Sequence, residues 1–270
     1  MFDSTLVTSL SGSLSGSLSR PLSGGGRFSP ADLSGLTHLY DARDDSSIAV
    51  AAPFDWTGTP GGVAIGAGAF EYVDLRDSLL FEGRAADFLA MPSIITDPPF
   101  TVIAAVTPQP ITLDGPVWSA NRLDAGQANR WHTFGIVGGN WEIQSRAGPT
   151  IGTGGTAVAA AGFQVVSAEW SSTSARRIRV DAGAWESDAT AVTPAGIDRN
   201  DIGKLRERTN DLTEWDGEIH RIAFFDRVLT DAEHDSMYAW MQLTMTHDFW
   251  RDSNGYVNRD SNGNPEIVKI

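Results

Sequence analysis

WDGEIHRIAFFDRVLTDAEHDSMYAWM, residues 215–241, holds a turn, a strand and a capped helix in one short stretch. Asp216-Gly217 reads as the turn that opens the strand, and EIHRIAFF (218–225) as the strand itself. Thr230-Asp231-Ala232-Glu233 then has the spacing of a capping box, in which hydroxyl and carboxylate satisfy each other's free backbone N–H groups. Met237, Trp240 and Met241 supply an apolar stripe behind it, so a helix near 230–243 is predicted to pack on a sheet.

Upstream, the same strand grammar repeats. YVDL (72–75), DFLAM (87–91), FTVIAAV (100–106), PVWSA (116–120), WHTFGIV (131–137), WEIQS (141–145), FQVVSAEW (163–170) and RRIRVDAGAW (176–185) are short apolar runs between turn residues. Gly138-Gly139-Asn140 is the turn between two of them. Evenly spaced strands with turn punctuation indicate a sandwich or a barrel, and the arrangement predicted is an all-β protein of two packed antiparallel sheets with one helix. The 270 residues suffice for one large sandwich, and 28 Gly with 13 Pro imply many turns.

Composition excludes several classes of function. A formal net charge of −14 repels a phosphate backbone, so nucleic acid is not an expected partner. The basic cluster Arg176, Arg177 and Arg179 alternates as a solvated strand face would. Zero cysteines exclude disulfides and thiolate chemistry. No apolar run is long enough to insert into a membrane, and no secretory signal is visible ahead of Arg20, which implies synthesis in a cytoplasm.

The ends differ from the middle. SLSG, SLSG, SLSR and PLSG (9–24) place Leu10, Leu14, Leu18 and Leu22 at intervals of four, with Leu6 in phase. In an extended chain these leucines share one face, so residues 1–27 read either as an arm whose five leucines make assembly contacts or as a disordered linker. Residues 28–248 read as the sandwich, and 249–270 as a tail carrying RDSNG twice.

Residues 215–241 resemble the closing signature of laminin-G-like and concanavalin A-like domains: aromatic-Asp-Gly turn, alternating strand, Arg-Val-Leu bend, capped helix. FEGRAADFLAMP (81–92), PPFTVIAAVTP (98–108) and FQVVSAEW with RRIRVDAG (163–183) look like earlier strands of the same domain. The resemblance covers roughly residues 36–245 and implies a jelly-roll sandwich. Such domains occur in receptors, glycosidases, lectins and bacteriophage virion proteins, and FSPADLSGLTHLYDARD (28–44) looks like an opening carried by phage structural proteins.

The search for chemistry yields no catalytic residue. Glu214-Trp215-Asp216-Gly217-Glu218 is similar to the paired-acid strand of glycosidases of this fold, but Gly217 stands where they carry a bulky apolar residue, and the position belongs to the closing strand. His38, His132, His220, His234 and His247 lack metal-ligand spacing, and no Gly-x-Ser-x-Gly elbow exists. Gly152-Thr153-Gly154-Gly155 lacks the lysine of a phosphate loop. The Asp252 and Asp260 turns miss the bidentate Glu of a calcium loop, since the twelfth position from Asp252 is Gly263. No cofactor or metal is therefore expected.

Nine tryptophans allow sugar-stacking surfaces, yet Trp118, Trp131, Trp141 and Trp170 sit in or beside apolar runs, as core residues do. Trp56 in the loop 53–62 and Trp250 beside the tail repeat lack that explanation. The primary expectation is a phage virion surface protein, a capsid decoration or fibre-like component. It would attach to capsid or other virion proteins, or to its own copies, through the arms. The alternative is a carbohydrate-binding lectin or adhesin module for cell-surface glycans, and the third reading a glycoside hydrolase.

Overall fold

The computed structural model describes residues 28–43, 48–49, 54–58, 63–66, 71–73, 78–83, 88–91, 95–109, 115–122, 130–206 and 211–242. The leucines Leu6 to Leu22 and the RDSNG repeats lie outside them. The chain enters through a 3-10 turn at Pro30–Asp32, capped by Ser29. Strands β1 (Leu36–Asp41), β2 (Ile48–Ala49), β3 (Phe54–Thr57), β4 (Val63–Gly66), β5 (Glu71–Val73), β6 (Ser78–Glu82) and β7 (Leu89–Met91) follow. Next come β8 (Phe100–Pro108), β9 (Gly115–Asn121), β10 (Arg130–Val137), β11 (Asn140–Ala147), β12 (Thr150–Val158), β13 (Gln164–Ser172), β14 (Ala175–Val180) and β15 (Glu186–Asp188). The series closes with β16 (Arg199–Ile202), β17 (Lys204–Arg206), β18 (Asp211–Glu214), β19 (Asp216–Phe225) and helix α1 (Asp231–Gln242).

Two antiparallel sheets form the sandwich, as the strand pattern predicts. Sheet A runs β15-β14-β13-β8-β19-β6-β5, with β1 pairing beside the second half of β19. Sheet B runs β12-β11-β10-β9-β16-β7-β4-β3-β2, and β17-β18 is a separate hairpin. Between β10 and β11, Val137 pairs directly with Asn140, so Gly138 and Gly139, both at positive φ, make a two-residue turn.

Alternation divides the apolar residues between two clusters. On β8, Phe100, Val102, Ala104 and Val106 face sheet B, where they meet Trp118, Phe134, Trp141 and Ile143, with Trp170 of the neighbouring β13 in the same cluster. Ile103 and Ala105 point the other way, with Val165, Ala223 and Phe225, against Met237 and Met241 of α1. A strand buried on both faces has to be apolar at both parities, which is why FTVIAAV reads as a continuous run. On β19 a register shift between Ile219 and Arg221 leaves His220 as the extra residue, so Ile219 and Ile222 both turn inward.

Charges clamp α1 to sheet A. The predicted capping box is present: Thr230 N–H donates to Glu233 Oε2 at 2.8 Å, and Glu233 N–H to Thr230 Oγ1 at 3.3 Å. Arg177 forks onto Glu169 at 2.9 and 3.1 Å, Arg179 donates to Asp235 at 2.9 Å, and both lie over the ring of Trp185. At the other end Arg221 donates to the Trp240 carbonyl at 2.7 Å. The expected solvated face of Arg176, Arg177 and Arg179 is thus corrected: Arg179 is 6% exposed and Arg176, on the inward parity, 2%. Arg176 donates to the carbonyls of Gly152 and Thr190 and pairs with Asp188, tying β14 to β12.

The glycine-rich strand β12 lies in close contact with this arginine. A Cβ at Gly152 would occupy the Arg176 guanidinium, and one at Gly155 would collide with Ile178. IGTGGT (151–156) is therefore a strand pressed against the edge of the opposite sheet.

Candidate functional site

The outer face of sheet B carries the polar chemistry. On β10 and β11, Phe134, Ile136, Trp141 and Ile143 turn into the core, which leaves Trp131, Thr133, Glu142, Gln144 and Arg146 outward. Cross-strand register then builds two rows over five strands. Asp201, Ser119, Thr133, Gln144 and Thr153 form one, and Arg199, Asn121, Trp131, Arg146 and Ile151 the other.

One end of the rows is covered. The β17-β18 hairpin packs over β9, and Ser119 Oγ donates to the Lys204 carbonyl at 2.7 Å. Asn121 Nδ2 donates to Ser119 Oγ and to Asp201 Oδ2, both at 3.0 Å, in a buried polar cluster. Lys204 Nζ pairs with Glu214 at 3.3 Å and lies over Phe88.

Beyond the hairpin the face opens into a cleft of about 230 Å3. Its floor is polar, made by Thr133, Glu142, Gln144 and Arg146, and its walls are apolar: Leu205 and Pro116 on one side, Ile151 on the other, Trp131 and Val137 towards the ends. Thr133 Oγ1 donates to the Trp118 carbonyl at 2.8 Å, Gln144 Nε2 to Glu142 Oε2 at 2.7 Å, and Arg146 Nε to the Gly148 carbonyl at 3.1 Å. Ile151 is 45% exposed. Polar groups between apolar walls are the makings of a binding surface.

Tryptophans divide differently from expectation. Trp118, Trp141 and Trp170 are core residues, whereas Trp131 is buried but belongs to neither apolar cluster and lines the cleft. Trp56 is fully buried in the core on β3, not on a loop surface. Trp250 lies outside the described residues.

The acids of Glu214-Trp215-Asp216-Gly217-Glu218 are held by separate partners. Glu214 is paired with Lys204, while buried Glu218 accepts from Ser78 Oγ at 2.9 Å. Trp215 between them packs on Trp141 in the core. Asp216-Gly217 is not a turn but the start of β19, paired with Glu82 and Phe81. Gly217, at φ 145°, is required because a Cβ would run into the Thr107 carbonyl. Burial, with Glu82 nearby, raises the Asp216 carboxyl above its ordinary value.

The histidines are structural partners of strands. His132 and Ser145 meet at 2.7 Å, a distance suited to base and nucleophile, yet both are 1% exposed and sealed between the sheets, where Trp170 Nε1 also donates to Ser145. Burial, aided by the charge of Arg176, pushes His132 down to about 3, so it stays neutral. His220 meets Thr107 Oγ1 at 2.9 Å, and His234 meets Glu169 at 3.2 Å. Among the described residues no three His, Asp or Glu side chains are grouped to hold a metal ion. No described helix is long and apolar enough to cross a membrane.

No protein-family model matches the sequence, and no curated protein does. Solved structures do share the architecture. Domain 4 of AbnA, a GH43 extracellular arabinanase from Geobacillus stearothermophilus, in complex with arabinotriose, superposes with a TM-score of 0.57 at 12% identity, over 75% of this chain and 98% of that one. The fold is the concanavalin A-like jelly roll. The jelly roll also superposes on Trypanosoma rangeli sialidase in complex with sialic acid, with a TM-score of 0.59 at 15% identity, covering 78% of this chain and 34% of the sialidase. A third match is the CBM40 of the Ruminococcus gnavus IT-sialidase bound to α2,3 sialyllactose, with a TM-score of 0.50 at 10% identity over 60% of this chain and 96% of that one.

Proposed function

We propose that this jelly roll is a carbohydrate-binding module and that the cleft over β10 and β11 is its site. The observation that carries the reading is the pairing of a polar floor with apolar walls. A sugar ring has the same two characters, hydroxyls around its edge and C–H groups on its faces. A cleft of about 230 Å3 is smaller than the roughly 300–1,000 Å3 of drug-sized pockets, so it suits one sugar unit with the rest of a chain on the open face. Support of a general kind comes from two jelly rolls of the same architecture, one in complex with arabinotriose and the other bound to α2,3 sialyllactose.

The test is binding of purified protein to a glycan array, followed by calorimetry on the best ligand. Gln144→Ala and Trp131→Ala should each weaken that ligand by about tenfold or more, roughly 1.4 kcal/mol. Array signal at background, or affinity untouched by both substitutions, would refute the reading.

Display on a virion surface is a second reading, favoured by the in-phase leucines Leu6, Leu10, Leu14, Leu18 and Leu22. It rests on a segment outside the described residues and concerns attachment, not the cleft. Binding of the full chain to empty capsids, set beside the glycan array, separates the two.

A further inference from the structure

The hydrogen-bonding state of the floor narrows the ligand. A carboxylate only accepts, so the 2.7 Å contact with Glu142 obliges Gln144 to present its amide nitrogen there, which turns its amide oxygen away as an acceptor. Thr133 gives its hydroxyl proton to the Trp118 carbonyl and keeps only lone pairs for a ligand. Arg146 already engages Gly148 through Nε. Thr133, Gln144 and Glu142 sit side by side on two adjacent strands, all three offer lone pairs, and the second Nε2 hydrogen of Gln144 is the one donor left among them.

Building on the carbohydrate reading above, we infer that the cleft selects an uncharged saccharide whose hydroxyls donate to Thr133, Gln144 and Glu142, and that Glu142 excludes sugars bearing a carboxylate, sulfate or phosphate. A hydroxyl can give its hydrogen to Glu142 in a charge-assisted bond, about twice as strong as a neutral one. An anionic substituent has no hydrogen to give and meets a like charge. Arg146 shares the floor but stands on the far side of Gln144, its Cα about 13–14 Å along the strand from that of Glu142 at ~7 Å per same-face step, and its Nε is turned to the Gly148 carbonyl. An anion beside Arg146 would leave the Gln144 and Glu142 acceptors unmatched. The chain's net charge of −14 works in the same direction at long range.

The test applies the full chain to neutral oligosaccharides and to acidic counterparts that differ by one charged group, with affinities measured by calorimetry. The expected binders are neutral. Glu142→Gln keeps the shape but removes the charge, and should shift the neutral-to-acidic affinity ratio by about tenfold towards the acidic sugar. Tight binding of acidic sugars that is lost in Gln144→Ala would keep the site and overturn the inference. An unchanged ratio in Glu142→Gln would overturn it as well. Absence of any glycan binding would instead remove the carbohydrate reading itself, and this inference with it.

Discussion

The outer faces of the two sheets obey one alternation and end in opposite conditions. On sheet A the outward residues include Ile103, Ala105, Val165, Ala223 and Phe225, and α1 covers them, with Arg177, Arg179 and Arg221 matched to carboxylates or helix carbonyls around its rim. On sheet B the outward residues of β10 and β11 include Thr133, Glu142, Gln144 and Arg146, and an open cleft lies above them. Both sheets bury their inner faces against each other, so the inner faces say little about function. The outer faces separate the structural side from the binding side: apolar residues call for a cover, and polar residues walled by apolar ones leave room for a ligand.

The largest expected break in that contrast is in stability. Phe225→Ala empties the layer under α1 and should cost about 3–5 kcal/mol, whereas Gln144→Ala should stay within about 0.5 kcal/mol, both read from denaturant unfolding. Equal costs on the two faces would mean that the cleft residues also hold the fold.

Acid should sharpen the contrast next. His132 is depressed by burial and the Arg176 charge, and His234 chiefly by burial, so the unfolded chain takes up protons that the folded chain refuses. Stability is complete above about pH 6.5 and should fall below it by about 1.4 kcal/mol per pH unit for each histidine held neutral. Burial alone would raise the Glu169 carboxyl, but hydrogen bonds from His234 and Arg177 outweigh it and hold it low. Its contribution, present above the unfolded carboxylate value, is then lost as pH falls further. Unfolding measured from pH 7 to 4 should show a shallower slope in His132→Gln. A flat profile in the parent protein would contradict the buried neutral histidines.

The smallest effect should come from a cleft wall. Ile151→Ser removes part of an exposed apolar surface and should weaken a bound saccharide a few-fold, about 0.5–1 kcal/mol, while leaving unfolding unchanged. A change in stability instead of affinity would place Ile151 with the structural residues.

Much of this architecture is legible in the sequence because long strands and a capped helix carry their own signals. FTVIAAV, WHTFGIV and EIHRIAFF lie on strands, as does FQVVSAEW from Gln164 on, and the capping box at Thr230 opens α1. Strands β12 and β16 are not legible in the same way. The first is glycine-rich because Arg176 and Ile178 press against it, and the second, Arg199–Ile202, is polar because Asp201 meets Asn121 under the hairpin. The cleft was half visible. WEIQS alternates cleanly, with Trp141 and Ile143 inward and Glu142 and Gln144 outward. WHTFGIV has apolar residues at both parities, so nothing in it distinguishes Trp131 at the cleft from Phe134 in the core; only register does.

The glycine strand has a last implication, for how these molecules meet one another. Arg176 occupies the carbonyl of Gly152, and the bare backbone of β12 lies close against β14 and β15. A strand arriving from a second molecule would find a hydrogen-bonding position there already filled. Edge-to-edge growth along this side is thereby discouraged by a side chain donated from the opposite sheet, so a crowded array of jelly rolls could stand shoulder to shoulder here without zipping together.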